Sequence, residues 1–219
     1  MSVPQPRVAI VDYDMGNRRS VEKALQRVGA TATITRDVNQ LQEADALVLP
    51  GVGAFPRGMR NLQTYGLDAL LRERVSAGVP LLGICLGMQL LFDSSSELGE
   101  HTPGLGLIAG EVRRLEAGSL RVPHIGWNEV RFERASPLTA ELGADGAPFY
   151  HVHSYAAHPA EAGDVIATTE YGERFATVVA HGAVYGTQFH PEKSSRDGLT
   201  LLAAFVGLAR AAGRAEVCA

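Results

Sequence analysis

Three residues of this 219-residue chain have the types and settings that acyl-transfer chemistry needs: Cys85, His190 and Glu192. Cys85 stands in Gly83-Ile84-Cys85-Leu86-Gly87, directly after the apolar run Val79 to Ile84 and before Leu86, Leu90 and Leu91 at helical spacing. Small residues two positions to either side of a nucleophile allow a cramped strand-to-helix turn that pushes the central side chain out of a sheet. At the start of a helix, unpaired N–H groups favour thiolate over thiol, which makes Cys85 a candidate nucleophile. The same layout also suits a structural cysteine packed as a small hydrophobe.

A nucleophilic thiol needs a general base, and the base needs an orienting group. Of seven histidines, His190 alone has a carboxylate two residues on, in Gln188-Phe189-His190-Pro191-Glu192-Lys193. In extended chain, residues i and i+2 point to the same side, so Glu192 can hold the far imidazole nitrogen while the near one faces the thiol. Taken alone, His190 reads equally as a strand-end histidine with an incidental neighbour. Gly51-Val52-Gly53 follows the apolar run Ala46 to Leu49. Its uncovered N–H groups suit either an oxyanion or a plain tight turn. Arg57-Gly58-Met59 stands where a nucleotide loop needs Gly-Lys-Ser/Thr. His151 and His153 share a strand face, but no third ligand at a recognisable spacing accompanies them, so no metal centre is expected.

The elements that must carry these residues follow from the apolar pattern. Val8 to Val11, Thr31 to Thr35, Ala46 to Leu49 and Val79 to Ile84 read as strands. Helical spacing over Ser20 to Val28 and Leu67 to Val75, with a short helical link at Gln40 to Ala44, separates them. Strand and helix alternate up to Phe92, which predicts a doubly wound α/β fold with a mainly parallel sheet and helices on both faces. Ser94 to Ser96 and Gly99 to Gly110 read as loops. Six strand patterns then follow without long helices between them: Glu111 to Leu115, Glu129 to Phe132, Phe149 to Tyr155, Val165 to Glu170, Phe175 to Ala180 and Val184 to His190. They predict antiparallel strands added to the sheet, and Gly198 to Ala212 is a closing helix.

Composition narrows the function classes. A net charge of −4 leaves no basic excess to neutralise phosphates, so nucleic acid is not an expected partner. The longest nearly apolar run, Val79 to Phe92, is shorter than the ~20 residues of a membrane helix. The polar start Met1 to Arg7 carries no signal region, and a cytoplasmic location is expected. The two cysteines, Cys85 and Cys218, are expected as free thiols, because a penultimate residue is a poor disulfide partner. At this length one domain over residues 1–219 is the expectation.

Gly-x-Gly after a strand, Gly-x-Cys-x-Gly at an elbow and His-Pro-Glu after a late strand are each weak signals, but they occur here in order along almost the whole chain. In this the sequence resembles the class I glutamine amidotransferases. The resemblance implies a flavodoxin-like glutaminase fold, a Cys85-His190-Glu192 triad, an oxyanion strand at Gly51 and Val52, and no cofactor. It implies glutamine-binding roles for Gly53, Gly87, Gln89, His153, Ser154 and Tyr155. Asp12-Tyr13-Asp14-Met15-Gly16-Asn17, Pro50 to Phe55, Cys85 to Gln89 and Gly126-Trp127-Asn128 look like the glutaminase subunit of imidazole glycerol phosphate synthase, which serves histidine biosynthesis. That subunit hydrolyses L-glutamine and delivers ammonia to a (βα)8-barrel cyclase in a heterodimer, where imidazole glycerol phosphate and AICAR are made. Asn17, Arg18, Trp127, Asn128 and Lys193 are then candidates for the partner interface. Asp14 departs from the glycine usual in that family, and an L side chain makes a left-handed backbone costlier there. Glutaminase subunits for pyridoxal phosphate or anthranilate synthesis, a cysteine peptidase on the same elbow, and a non-catalytic α/β binding module are the competing readings.

Overall fold

A computed structural model describes residues 5–99, 101–143 and 146–217, and Cys218 lies outside them. The chain opens with β1 (Arg7–Val11), α1 (Arg18–Arg27), β2 (Thr31–Thr35), α2 (Val38–Gln42), β3 (Ala46–Gly51), α3 (Phe55–Thr64), α4 (Leu67–Ser76) and β4 (Leu81–Cys85). Next come the one-turn α5 (Leu86–Gln89), β5 (Phe92–Ser95), β6 (Thr102–Pro103), β7 (Ile108–Arg114), β8 (His124–Phe132) and β9 (Ala147–His153). β10 (Tyr155–Pro159), β11 (Val165–Tyr171), β12 (Glu173–His181), β13 (Val184–Thr187) and α6 (Ser195–Val217) complete it.

β2, β1, β3, β4 and β13 lie side by side in that order, all parallel. β12 runs antiparallel to β13 and leads through β10 and β7 to β5 and β6, while β11, β8 and β9 form an antiparallel arm off β12. The expected mixed, mainly parallel sheet with antiparallel additions is therefore present, with one correction: β13, expected over Val184 to His190 among the antiparallel additions, ends at Thr187 and pairs parallel with β4. The sheet's central strands are apolar throughout because both faces are covered. Leu47, Leu49 and Leu81 face one core with Met59, Leu62, Leu70 and Leu71 of α3 and α4. Val48, Leu82 and Ile84 face the other core, with Val21 and Leu25 of α1 and Leu202, Phe205 and Val206 of α6.

Four local differences from the sequence pattern have physical causes. No element is expected between Phe55 and Thr64, yet this stretch forms α3 with Pro56 and Gly58 inside it. Pro56 sits in the first turn, where a missing N–H costs nothing, and a Cβ on Gly58 would stand 3.1 Å from Leu90 Cδ1. The elbow helix stops after one turn because the Leu91 carbonyl accepts the Leu107 and Ile108 N–H groups (2.8 and 3.1 Å), drawing the chain into β5. Ser94 and Ser95, expected in a loop, pair in register with Glu111 and Val112 of β7. The single strand expected over Phe149 to Tyr155 breaks at Ser154, where the chain changes partner: His153 pairs with His124 of β8 and Tyr155 with Arg114 of β7.

Candidate active site

The register of three neighbouring parallel strands brings the sequence motifs to one edge of the sheet. Gly51 of β3 is the partner of Cys85 at the end of β4, and Thr187 of β13 is the partner of Ile84. The turn Gly51-Val52-Gly53, the elbow at Cys85 and the segment Gln188 to His190 therefore leave the sheet at the same level, where open α/β sheets hold their ligands.

Cys85 adopts φ 54°, ψ −109°, a left-handed conformation that stores about 1–3 kcal/mol in a non-glycine residue. The flanking glycines make this turn possible. A Cβ on Gly87 would lie 1.6 Å from the Leu49 carbonyl oxygen, and one on Gly83 2.7 Å from the backbone of Gly87. Gly51 is equally confined, since a Cβ there would meet the Tyr13 hydroxyl at 2.2 Å. Cys85 Sγ lies 3.8 Å from Gln188 Nε2 and 3.9 Å from the Val152 carbonyl oxygen.

His190 is fixed by its own backbone. Its N–H donates to the Tyr150 carbonyl (3.0 Å), and its carbonyl accepts the Ser194 hydroxyl (2.7 Å), whose oxygen in turn accepts the Tyr150 N–H (3.0 Å). The ring is buried, with Nδ1 2.8 Å from Glu192 Oε1. Nε2 is also buried and completes no hydrogen bond, which leaves the Cys85 sulfur as the group that acts on it. Burial pulls the imidazole pKa down, but interaction with Cys85 and the bond to Glu192, with the charges of both, push it up to about 10. The same Glu192 oxygen also accepts the Asn17 side-chain amide.

Beside the cysteine opens a cavity of about 290 Å³, lined by Val52, Gly53, Cys85, Gln89, His153, Ser154 and Tyr155, and also by Leu86, Glu97, Pro123 and Val152. Gly51 and Gly87 do not line it: one is buried opposite Cys85 and the other packs on the Leu49 carbonyl. His190 and Glu192 are not on the cavity wall either. Glu97 was not singled out from the sequence, because it sits between serines and glycines in a stretch without periodicity. Its carboxylate accepts the Phe55 N–H at 2.6 Å, and burial raises its pKa despite that bond. A larger cleft of about 730 Å³ lies between α1 and α6; it reaches Glu192 from behind but not the cysteine.

The candidate interface residues divide. Trp127 is 52% exposed and Lys193 is exposed above the Tyr150 ring. Asn17 turns inward to Glu192, Arg18 pairs with Asp12, and Asn128 bonds inside the β8 arm. Asp14 is left-handed (φ 59°), the conformation a glycine would take more easily, and its carboxylate is held by Arg36 and the Tyr65 hydroxyl. Among the described residues no cluster of ligands could hold a metal ion, and no helix is long and apolar enough to cross a membrane.

A doubly wound sheet with a strained cysteine elbow, and with a histidine–carboxylate pair just beyond the end of the adjoining strand, defines a class I glutamine amidotransferase, and the model of that family, "Glutamine amidotransferase class-I", matches residues 9–207. Solved structures agree on the fold: a glutamine amidotransferase with TM-score 0.72 (24% identity, 92% of this chain and 98% of that one) and PurLQS from Thermotoga maritima with TM-score 0.74 (18%, 93% and 99%). Among curated relatives, the imidazole glycerol phosphate synthase subunit HisH of Moorella thermoacetica is 52% identical over 95% of this chain and 98% of its own length, and that of Geobacillus kaustophilus 46% over 94% and 99%. The chain thus belongs to the class I glutamine amidotransferases, in the family of the imidazole glycerol phosphate synthase subunit HisH.

Proposed function

We propose that residues 1–219 act as one glutaminase domain in which Cys85 attacks the side-chain amide of L-glutamine, with His190 as acid and base and Glu192 as its orienting carboxylate. The observation that carries this reading is the position of the His190 ring, held by Glu192 on one nitrogen and open to Cys85 on the other, behind a cavity large enough for one amino acid. With its pKa raised, the imidazole is protonated at neutral pH and can donate to the departing ammonia. Water then hydrolyses the glutamyl thioester with His190 as base. The oxyanion is met by main-chain N–H groups of the Gly51-Val52 turn, and one such donor contributes about 3 kcal/mol in the transition state.

Gln89 and the segment His153-Ser154-Tyr155 hold the amino-acid end of the substrate. Glu97 supplies the negative charge that an α-ammonium requires. The ammonia passes to a (βα)8-barrel cyclase partner in a heterodimer, since the relatives are subunits of a synthase and no acceptor site is recognisable among the described residues. Trp127 and Lys193 are the exposed residues best suited to that interface; Asn17, Arg18 and Asn128 would support it from behind. The test is ammonia release from glutamine with and without the cyclase and its nucleotide substrate. Activity that depends on the cyclase and is absent in Cys85→Ala is expected; cyclase-independent activity that survives this substitution would refute the proposal.

A further inference from the structure

His124, His151 and His153 are all buried beside the proposed glutamine cavity, although only His153 lines it. β8 and β9 pair so that His124 stands opposite His153, and Asn128, four residues along β8, shares the face of His124. Each hydrogen bond among these groups can run in only one direction. The Glu129 N–H donates to Asn128 Oδ1 at 2.9 Å, which fixes the amide and aims its NH2 at the Glu170 carbonyl (2.9 Å) and at His124 Nε2 (3.3 Å). Nε2 of His124 is therefore an acceptor. The proton of this neutral ring sits on Nδ1, which donates to His153 Nε2 at 3.1 Å. His153 is left with its proton on Nδ1, donating to the Tyr155 carbonyl at 2.8 Å, and a carbonyl can only accept.

That carbonyl joins two paths. It also accepts Gln89 Nε2 at 3.0 Å; the Gln89 amide reaches Gln188 Oε1 at 3.1 Å, and Gln188 Nε2 lies 3.8 Å from Cys85 Sγ. Burial keeps both rings neutral, with His124 held down at about 4 and His153 at about 3. The Tyr171 ring, stacked on His124 at 4.0 Å, closes the outer side.

We propose that His124 is a positioning residue for the reaction: with His153 it forms a hydrogen-bond chain of fixed polarity, from Asn128 to the Tyr155 carbonyl, that sets the glutamine-binding main chain of residues 153–155 against Gln89 and Cys85. This rests on the reading of the cavity as the glutamine site. The polarity itself does not. It requires the Nδ1–H form of both rings, whereas a free neutral histidine favours Nε2–H.

The test combines a spectroscopic and a kinetic readout. In the full chain near neutral pH, long-range 15N–1H correlation should show Nδ1 protonated and Nε2 bare in both His124 and His153. Asn128→Asp replaces the donor with an acceptor and should switch His124 to Nε2–H. In the chain assembled with its synthase partner, Asn128→Asp and His124→Phe should each raise KM for glutamine about tenfold with kcat within about twofold, the cost of one unsatisfied buried group in binding. His124→Gln, which can accept and donate in the same sense, should recover most of that loss. Nε2–H on either wild-type ring overturns the proposal, as does an unchanged KM in folded Asn128→Asp. Should His124→Phe fail to fold, Asn128→Asp decides alone. A wild-type protein that does not turn over glutamine refutes the reading of the cavity, and the positioning role with it, even where both tautomers are as stated.

Discussion

Asn17 and Glu192 are 175 positions apart, yet the side-chain amide of Asn17 donates to the carboxylate oxygen of Glu192 that also holds His190. The loop after the first strand therefore supports the carboxylate of the proposed triad. A hydrogen bond to a buried charge contributes about 1.5–3 kcal/mol, so Asn17→Ala is expected to lower kcat/KM for glutamine about ten- to hundredfold. Steady-state kinetics of the assembled synthase checks this, and an unchanged kcat/KM would remove Asn17 from the site.

Glu97 lines the cavity, and in the proposed site it offers a charge to the substrate. Glu97→Gln keeps its size and its bond to the Phe55 N–H but removes the charge. KM for glutamine should rise about tenfold with kcat little changed, the mark of a contact made equally in ground and transition states. A fall in kcat at constant KM would place Glu97 in the chemistry instead.

Asp14 tests how a left-handed position is held without glycine. Its carboxylate is tied to Arg36 and Tyr65, and the Arg36 guanidinium stacks on the Tyr65 ring at 4.3 Å. Asp14→Ala keeps the Cβ and loses these bonds, whereas Asp14→Gly loses the bonds but relieves the backbone. In thermal melts Asp14→Ala is expected to be the least stable of the three proteins. The reverse order for the two variants would show that the backbone at this residue carries no strain.

The buried histidines set the pH dependence of stability. Burial depresses the pKa of His153 from 6.5 to about 3. Between those values the unfolded chain binds a proton that the folded chain refuses, so stability is complete above about pH 6.5 and falls as pH falls, by about 1.4 kcal/mol per pH unit. His151, also depressed chiefly by burial, and His124, held down to about 4 by burial, act in the same direction, His124 over a narrower pH range than His153. For His190, raised to about 10, the sign is opposite: its contribution is complete below about pH 6.5 and lost as pH rises through 10. Denaturant unfolding across pH should show a steep acid limb that His153→Phe flattens. An identical acid limb in a folded His153→Phe protein would contradict this account.

Legibility in the sequence followed the range of the interactions. β1, β3 and β4 were visible because both faces are buried and the apolar runs are continuous, and the edge strand β2 because its residues alternate. Cys85, with its glycine neighbours, and the His190–Glu192 pair were visible because their spacing is local. The meeting of Asn17 with Glu192, the arrival of Glu97 on the cavity wall and the stacking of His124 on Tyr171 depend on strand order and loop paths. No local pattern encodes them. The α3 helix was hidden by Pro56 and Gly58, whose usual meaning is reversed by first-turn placement and by close packing on Leu90. Gly87 shows the converse: its motif position suggests the substrate, while its close approach to the Leu49 carbonyl makes it a packing requirement of the elbow.

The most direct measurement is the mass of the protein after exposure to an electrophilic glutamine analogue, followed by mapping of the labelled peptide. One adduct per chain on Cys85 is expected, lost in Cys85→Ala, slowed in His190→Ala and suppressed by excess glutamine. No adduct on Cys85 in the synthase-assembled protein, or labelling indifferent to glutamine and to His190, would contradict the central claim.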